Sequence, residues 1–293
     1  MKFKKIALAS FALVSAMALT ACGSNSSSKK EDAVSVGIIQ YAEHDALSSS
    51  RKGFLEALKD AGYVEGENLT VDFQNAQGDQ ANLQTMVDQL AGQNDLNFAI
   101  ATPAAQALLN VDSETPAVFT AVTDPVSAGL VDSLETPGGN MTGSIDATDV
   151  EGQVEMLLKV VPEAKTVGIF YNSSEVNSEV QAKQAKEALE AAGKTVVIKT
   201  VTSTNDVQQV MTSLAGQVDA IYLPTDNTVA STAATIGEIL MDKKVPAIGS
   251  DEAYLEAVLF TYGVDYHAIG VQAGELAVEV LKGKDPADLA VKK

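Results

Sequence analysis

Two nearly identical stretches of this chain end in loops of opposite chemistry. "LAGQNDLNFAIATPAAQ" starts at Leu90 and closes on Thr102, Pro103, Ala104 and Gln106, whereas "LAGQVDAIYLPTDN" starts at Leu214 and closes on Asp226 and Asn227. Aligning Asp95 with Asp219 sets Thr102 opposite Asp226. The first loop can offer an anion the Thr102 hydroxyl and the free N–H groups of a helix beginning after Pro103. The second can offer a cation a carboxylate. A small zwitterion would use both, its carboxylate at Thr102 and its ammonium at Asp226 or Asp251, with Asp124 and Glu43 behind them. An unpaired, desolvated ammonium costs several kcal/mol. The other apolar runs end in loops that fill out the candidate set: Glu43 and His44 in "YAEHD", Thr123 and Asp124 in "TAVTDP", Tyr171, Asn172 and Asn177 in "YNSSEVNS", and Ser250 and Asp251 in "SDE". Asp, Asn, Ser and Thr also favour helix caps and turns, so each of these positions has a purely structural reading as well.

Aromatic walls for such a site could come from Tyr41, Phe119, Tyr171, Tyr222, Tyr254 or Tyr262. Phe119 and Tyr222 lie within strand-like apolar runs and read as core, whereas Tyr171 stands at a strand end. Trp, on which sugar ligands often stack, is missing. Arg51, the sole arginine, falls about two turns into a helical pattern and reads as half of a structural ion pair. His267 reads as the start of the last helix.

Catalytic constellations are missing. There is no G-x-S-x-G elbow, H-E-x-x-H, Walker A or G-x-G-x-x-G, and the lone cysteine is Cys22. No catalytic residue, metal or cofactor is expected. Taking Lys2, Lys4 and Lys5 from the 20 basic residues leaves 17 against 39 acidic ones, a net charge of −22. Such a surface repels phosphate backbones and excludes nucleic acid as a partner.

The elements that must position these loops repeat. "SVGIIQY", "LTVDFQNA", "LNFAIA" and "PAVFTAV" alternate with helical patterns over about 46–61, 79–91 and after Pro103, and buried apolar runs between helices of this length indicate parallel strands. "TVGIFYN", "TVVIKTV", "DAIYL" and "VPAIG" answer them in the same order, and "LEAAGK" answers "LKDAGY" between the first two. Five matching segments make two duplicated α/β lobes, each with a parallel, Rossmann-like sheet. The later run "VLFTYGV" and the helix "HAIGVQAGELAVEVLKG" find no match in the first half. They suggest that the chain crosses back, so that this helix packs on the first lobe and the crossings form a hinge. The expected boundaries are 34–145 plus 263–283 for lobe 1, 146–262 for lobe 2, and 284–293 as a tail. Ahead of them, 1–21 has the charged, apolar and small-residue order of a signal peptide. "LTAC" looks like the lipobox of bacterial lipoproteins, which would acylate Cys22 and anchor it to the membrane, and 22–33 is a Ser-rich tether.

The segments "VGIIQYAEHDAL", "RKGFLEALKDAGYVEGENLTVDFQNAQGDQ", "IATPAAQAL", "VFTAVTDPVSAGLV", "VGIFYNSSEVNS", "DAIYLPTDNTV" and "FTYGVDY" resemble substrate-binding lipoproteins of ABC importers, in the branch associated with tryptophan and other aromatic amino acids. The resemblance spans Val34 to about Pro286. It implies a type I periplasmic-binding-protein fold and a monomer outside the cytoplasm. It further implies an amino acid captured between the lobes and handed to a permease driven by a separate ATPase subunit. A receptor that reports to a sensor kinase, or a carrier of branched-chain amino acids or nucleosides, is the alternative, since fold alone does not decide function.

Overall fold

The computed structural model describes residues 33–293; the expected signal peptide, Cys22 and nearly all of the tether lie outside the described residues. Two five-stranded parallel sheets make an α/β fold of two lobes. In the first lobe the chain runs β1 (Val34–Gln40), α1 (Asp45–Asp60), β2 (Leu69–Asn75), α2 (Gln80–Leu90), β3 (Leu96–Ile100), α3 (Thr102–Val111), β4 (Ala117–Val122) and β5 (Met141–Ile145). After α4 (Val150–Val160), the second lobe runs β6 (Thr166–Asn172), α5 (Val176–Ala191), β7 (Thr195–Val201), α6 (Val207–Ala215), β8 (Ala220–Leu223), α7 (Asn227–Ala230), α8 (Ala233–Lys243), β9 (Ala247–Gly249) and β10 (Phe260–Thr261). Last comes α9 (Tyr266–Leu281).

The central strands are buried along their whole length because helices cover both faces, while the edge strands β2 and β7 alternate between covered and exposed positions. The strand order β2-β1-β3-β4-β5 in one sheet is repeated as β7-β6-β8-β9-β10 in the other. The duplicated aspartates do the same work in each. Asp95 accepts hydrogen bonds from the Ser35 N–H and hydroxyl at the start of β1, and Asp219 accepts from the Lys165 and Thr166 N–H groups at the start of β6. Each clasp ties the entry of the first strand to the entry of the third.

One expectation is corrected here. The segment "VLFTYGV" is not an unmatched strand: β10 occupies the fifth place in its sheet, as β5 does in the other. Only Phe260 and Thr261 pair, against Ile248 and Gly249, so the run is too short to show its kinship with β5 by pattern. What differs is where the next helix goes. The helix after β5, α4, lies against α5 and β9 of the second lobe, and the helix after β10, α9, lies against α1, β4 and β5 of the first. The lobes have exchanged their final helices. Residues beyond α9 then run beside β5, with the Ile145 N–H donating to the Lys292 carbonyl at 3.0 Å and the Lys292 N–H to the Gly143 carbonyl at 2.8 Å.

The returning helix needs a close seat. Gly53 on α1 and Gly270 on α9 let the two backbones touch: a methyl group at Gly270 would collide with the Ser50 carbonyl, and one at Gly53 with the His267 carbonyl. The Ser50 hydroxyl donates to the Tyr266 carbonyl at 2.9 Å, and His267 and Glu56 meet at 3.0 Å on the outer rim. Beneath α1, Phe54 stacks on Phe98 of β3 with centroids 3.7 Å apart. Arg51 forms no ion pair among the described residues; its guanidinium lies 3.8 Å over the Phe73 ring instead, because the half-exposed β2 edge offers it a π face. Gly270→Val should cost about 1–3 kcal/mol of stability in denaturant unfolding, because a backbone atom stands in the way of the new side chain. Gly139→Ala, where a methyl group meets nothing within 4 Å, should stay within about 0.5 kcal/mol of the parent.

Candidate ligand-binding cleft

Ligands of open parallel sheets bind beyond the carboxyl ends of the strands. Here those ends face one another across the lobes. Tyr41 after β1, Thr102 after β3, Asn172 and Glu175 after β6, and Thr225, Asp226 and Asn227 after β8 are all buried although they sit in or next to loops. The lobes themselves cover them. His44 Nε2 lies 3.5 Å from Asn227 Oδ1 across the gap, and the Tyr41 hydroxyl faces Thr228 and Glu175 of the opposite lobe. The cleft is therefore closed.

The duplicated loops carry the asymmetry expected from sequence. In the first lobe, Ala101 holds φ 84° and ψ 152°, a conformation that L residues rarely adopt, and it turns the chain from β3 directly into α3. No side chain caps α3. Its first-turn N–H groups at Thr102 and Ala104 are left for a partner outside the helix. The Thr102 hydroxyl is buried and has no hydrogen-bond partner. This end of the lobe presents donors.

In the second lobe the matching helix start is loaded with acid. Asp226 accepts from the Val229 N–H at 2.8 Å and from the Asn172 N–H at 2.6 Å. Glu175 accepts from the N–H groups of Asn227 and Thr228 at 3.1 and 3.0 Å, from the Asn227 amide at 2.7 Å and from the Thr228 hydroxyl at 2.8 Å. Burial, reinforced by the neighbouring Glu175, pushes the Asp226 carboxyl well above its ordinary range. The Tyr41 hydroxyl is pushed up to about 12, first by burial and then by Glu175. Tyr171 is raised too, by burial and then by Glu179 and Asp226. Asn177 donates to the Thr225 carbonyl, and its own buried carbonyl oxygen has no partner. Glu175 was not among the expected site residues, although it lies within "YNSSEVNS". Its spacing from Asn177 resembles an ordinary turn, and only the fold brings it to α7.

The remaining candidates are distributed more widely. Gln106 donates to the Ala128 carbonyl and faces a cavity of about 500 Å³ beside α3, shared with Gln80, Gln84 and, from the second lobe, Ser174. Glu43 is exposed and braces its own loop through Ser48, Gln40 and Asn75, as a turn residue would. Asp124 caps a turn at Ser127. Thr123 donates to Asp146 at 2.9 Å, Ser250 bonds Thr225 at 3.0 Å, and Asp251 caps Ala253 while accepting from the Tyr266 hydroxyl. The structure thus commits Asp251 to the seam between the lobes, while Asp226 is bonded to Val229 and Asn172 beside Glu175. Among the aromatics, Phe119 and Tyr222 are core, Tyr254 braces the Pro224 and Asp226 carbonyls, and Tyr262 is exposed, whereas Tyr41 is buried near Glu175 and Tyr171 is half-buried near the end of β6.

Residues 35–293 match the family described as ABC transporter substrate binding protein. A tyrosine-binding protein of Clostridioides difficile is 40% identical over 284 residues, which span 93% of this chain and 82% of that protein. The chain belongs to the ABC transporter substrate-binding protein family. It is accordingly a solute-binding protein and not an enzyme. A solved ABC domain from Streptococcus pneumoniae in complex with L-Trp is 38% identical, covers 89% of each chain and superposes with a TM-score of 0.84. The ligand-free, open structure of a substrate binding protein with adhesive properties from Clostridium difficile is 42% identical and covers 88% of each chain, yet scores only 0.63. Sequence divergence does not order these two likenesses. A closed placement of the lobes here, set against the open one there, agrees with the lower score, since rigid lobes hinged differently superpose poorly as a whole.

Because the folded protein raises the Asp226 carboxyl, its protonated form is favoured by folding. That contribution is fully present below about pH 4 and is lost as pH rises through the folded value. In ligand-free protein, the dependence of the thermal midpoint on pH above about 4 should therefore be shallower in Asp226→Asn than in the parent. The comparison is of slopes, so it holds whatever the variant does to absolute stability.

Proposed function

We propose that this family member captures an aromatic α-amino acid between its lobes and delivers it to an ABC permease for import. The observation that carries this reading is the opposite capping of two equivalent helix starts. The uncapped α3, with the free Thr102 hydroxyl, receives the ligand carboxylate, and Asp226 with Glu175 receives its ammonium. Asn177 and Asn227 add amide contacts, Asn172 holds Asp226 in place, and His44 closes over from the first lobe. Tyr41 and Tyr171 flank the ring. The relatives named for tyrosine and solved with tryptophan support an aromatic side chain.

Closure follows from the ligand touching both lobes. A dissociation constant near one micromolar corresponds to about 8 kcal/mol, ample to shift a hinge equilibrium if the contacts in the closed form exceed those in the open one. The lobes, 34–145 with 263–283 and 146–262, move about the crossings near Asp146 and Gly263. The protein works outside the cytoplasm, as a monomer held to the membrane through a lipid on Cys22, where its acidic surface keeps it soluble.

Calorimetry with L-tryptophan and L-tyrosine tests the site. Thr102→Val and Asp226→Asn should each weaken binding about tenfold or more, which corresponds to about 1.4 kcal/mol. N-acetyl-L-tryptophan, which keeps the ring and the carboxylate but lacks the ammonium, should bind far more weakly still. Unaltered affinity in both variants would remove the zwitterion assignment. For the anchor, cells fed a labelled fatty acid should label the parent protein and not Cys22→Ala.

A further inference from the structure

Three acidic hydroxyl-bearing groups meet where the lobes join. Asp146 lies on the segment leading from β5 to α4, Tyr266 opens α9, and Asp251 follows β9. The Tyr266 oxygen is 2.9 Å from Asp146 Oδ2 and 2.9 Å from Asp251 Oδ2, and all three residues are buried. A phenol has one hydrogen. It can donate to one carboxylate, but the other, if ionised, would face a lone pair at hydrogen-bonding distance.

The remaining contacts say where a second hydrogen sits. Asp251 Oδ1 accepts from the Ala253 N–H, the role of a helix cap, which leaves its Oδ2 as the acceptor of the Tyr266 hydroxyl. Asp146 Oδ1 accepts from the Thr123 hydroxyl at 2.9 Å, which leaves Oδ2 free to be the protonated oxygen. With Asp146 neutral, every bond is satisfied in series: Asp146 Oδ2–H to Tyr266 Oη, then Tyr266 O–H to Asp251 Oδ2. The surroundings supply no countercharge. Asp251 faces Glu252 and Tyr254, with Asp265 and Asp45 also close to Glu252, and no Lys, Arg or His among the described residues pairs with Asp146 or Asp251. Burial raises the Asp146 carboxyl to about 6, a shift that agrees with the geometry.

We propose that the closed protein holds one proton shared by Asp146 and Asp251 through the Tyr266 hydroxyl, and that this proton is taken from solvent as the lobes close. Tyr266 rides on the first lobe with α9, and Asp251 belongs to the second. Parting them frees Asp251 from the Tyr266 hydroxyl and returns the Asp146 carboxyl to water, where its proton leaves. Closure is then favoured by acid. For a carboxyl moving from about 4 to about 6, the closed form loses about tenfold in relative population between pH 5 and pH 7. Ionisation of Asp226 in the cleft works in the opposite direction, since an ammonium ligand needs it charged.

Infrared difference spectra between pH 5 and pH 7 read the proton directly with no ligand present, in the full chain cross-linked shut through His44→Cys and Asn227→Cys, whose parent side chains lie 3.5 Å apart across the gap. The expected result is a protonated-carboxyl C=O band that titrates across that window, persists in Asp226→Asn and is absent in Asp146→Asn, a near-isosteric neutral variant. A band that persists in Asp146→Asn, or no titrating band in the protein locked shut, would overturn the proposal. Tyr266→Phe, which keeps the ring and cuts the relay, should shift the band rather than leave it unmoved. Calorimetry with L-tryptophan in two buffers of different ionisation enthalpy then reads the coupling to closure. At pH 5 the parent should take up close to one proton more per ligand bound than Asp146→Asn does, and equal uptake would sever the link to closure. Should L-tryptophan and L-tyrosine both fail to bind, the amino-acid reading falls and the infrared result still decides this one.

Discussion

Burying carboxylates without a fixed cation is the constraint around which this protein is arranged. Glu175 and Asp226 are both covered when the lobes meet, and an ionised carboxylate removed from water is tolerated only when donors surround it. The second lobe supplies them from backbone N–H groups at α7 and from Asn172, Asn227 and Thr228. Such donors reduce the cost without neutralising the charge, which is why Asp226 remains strongly raised. The result is a pair of buried acids held by backbone and amide donors, which the proposed ligand ammonium would complement.

The opposite lobe answers with the same backbone and different side chains. Duplication delivered two strand-loop-helix units with the same clasp at Asp95 and Asp219, and divergence at one position put Thr102 where the copy has Asp226. The strained Ala101 is the local cost of aiming α3 into the cleft, and such strain persists only where the surrounding structure over-determines it. Here the buried strands β1, β3 and β4 do so, through the Ala101 N–H to the Thr120 carbonyl and the Tyr41 N–H to the Ile100 carbonyl. In the proposed reading, two lobes with opposite terminal charge grip a zwitterion only when they face each other, so specificity and closure become one event.

Exchange of the final helices makes that event possible. Because α4 leaves the first sheet for the second lobe and α9 returns from the second sheet to the first, each lobe is completed by a helix from the other side of the hinge. The lobes can rotate but cannot drift apart. Asp146 and Tyr266 lie at the crossing segments and Asp251 reaches Tyr266 from the end of β9, so the proposed shared proton sits beside the hinge.

Much of this was legible in the residues. Periodic apolar runs gave strands and helices because burial on both faces leaves an unbroken hydrophobic signature, and the repeat of "LAGQ-x-D" identified both the duplication and the Thr102–Asp226 contrast. The two-residue strand β10 was not legible as a partner of β5, because pairing over Phe260 and Thr261 leaves no pattern to align. Arg51 read as half of an ion pair, yet it met a π face on Phe73, a neighbour far along the chain. Glu175 looked like a turn residue and Asp251 like a ligand contact; their roles depend on which buried donors lie beside each carboxylate. Local sequence determines which groups are available and how the chain turns near them. Only tertiary structure decides which of them lose water together, and the loss of water is what gives a carboxylate its partner, its proton and its function.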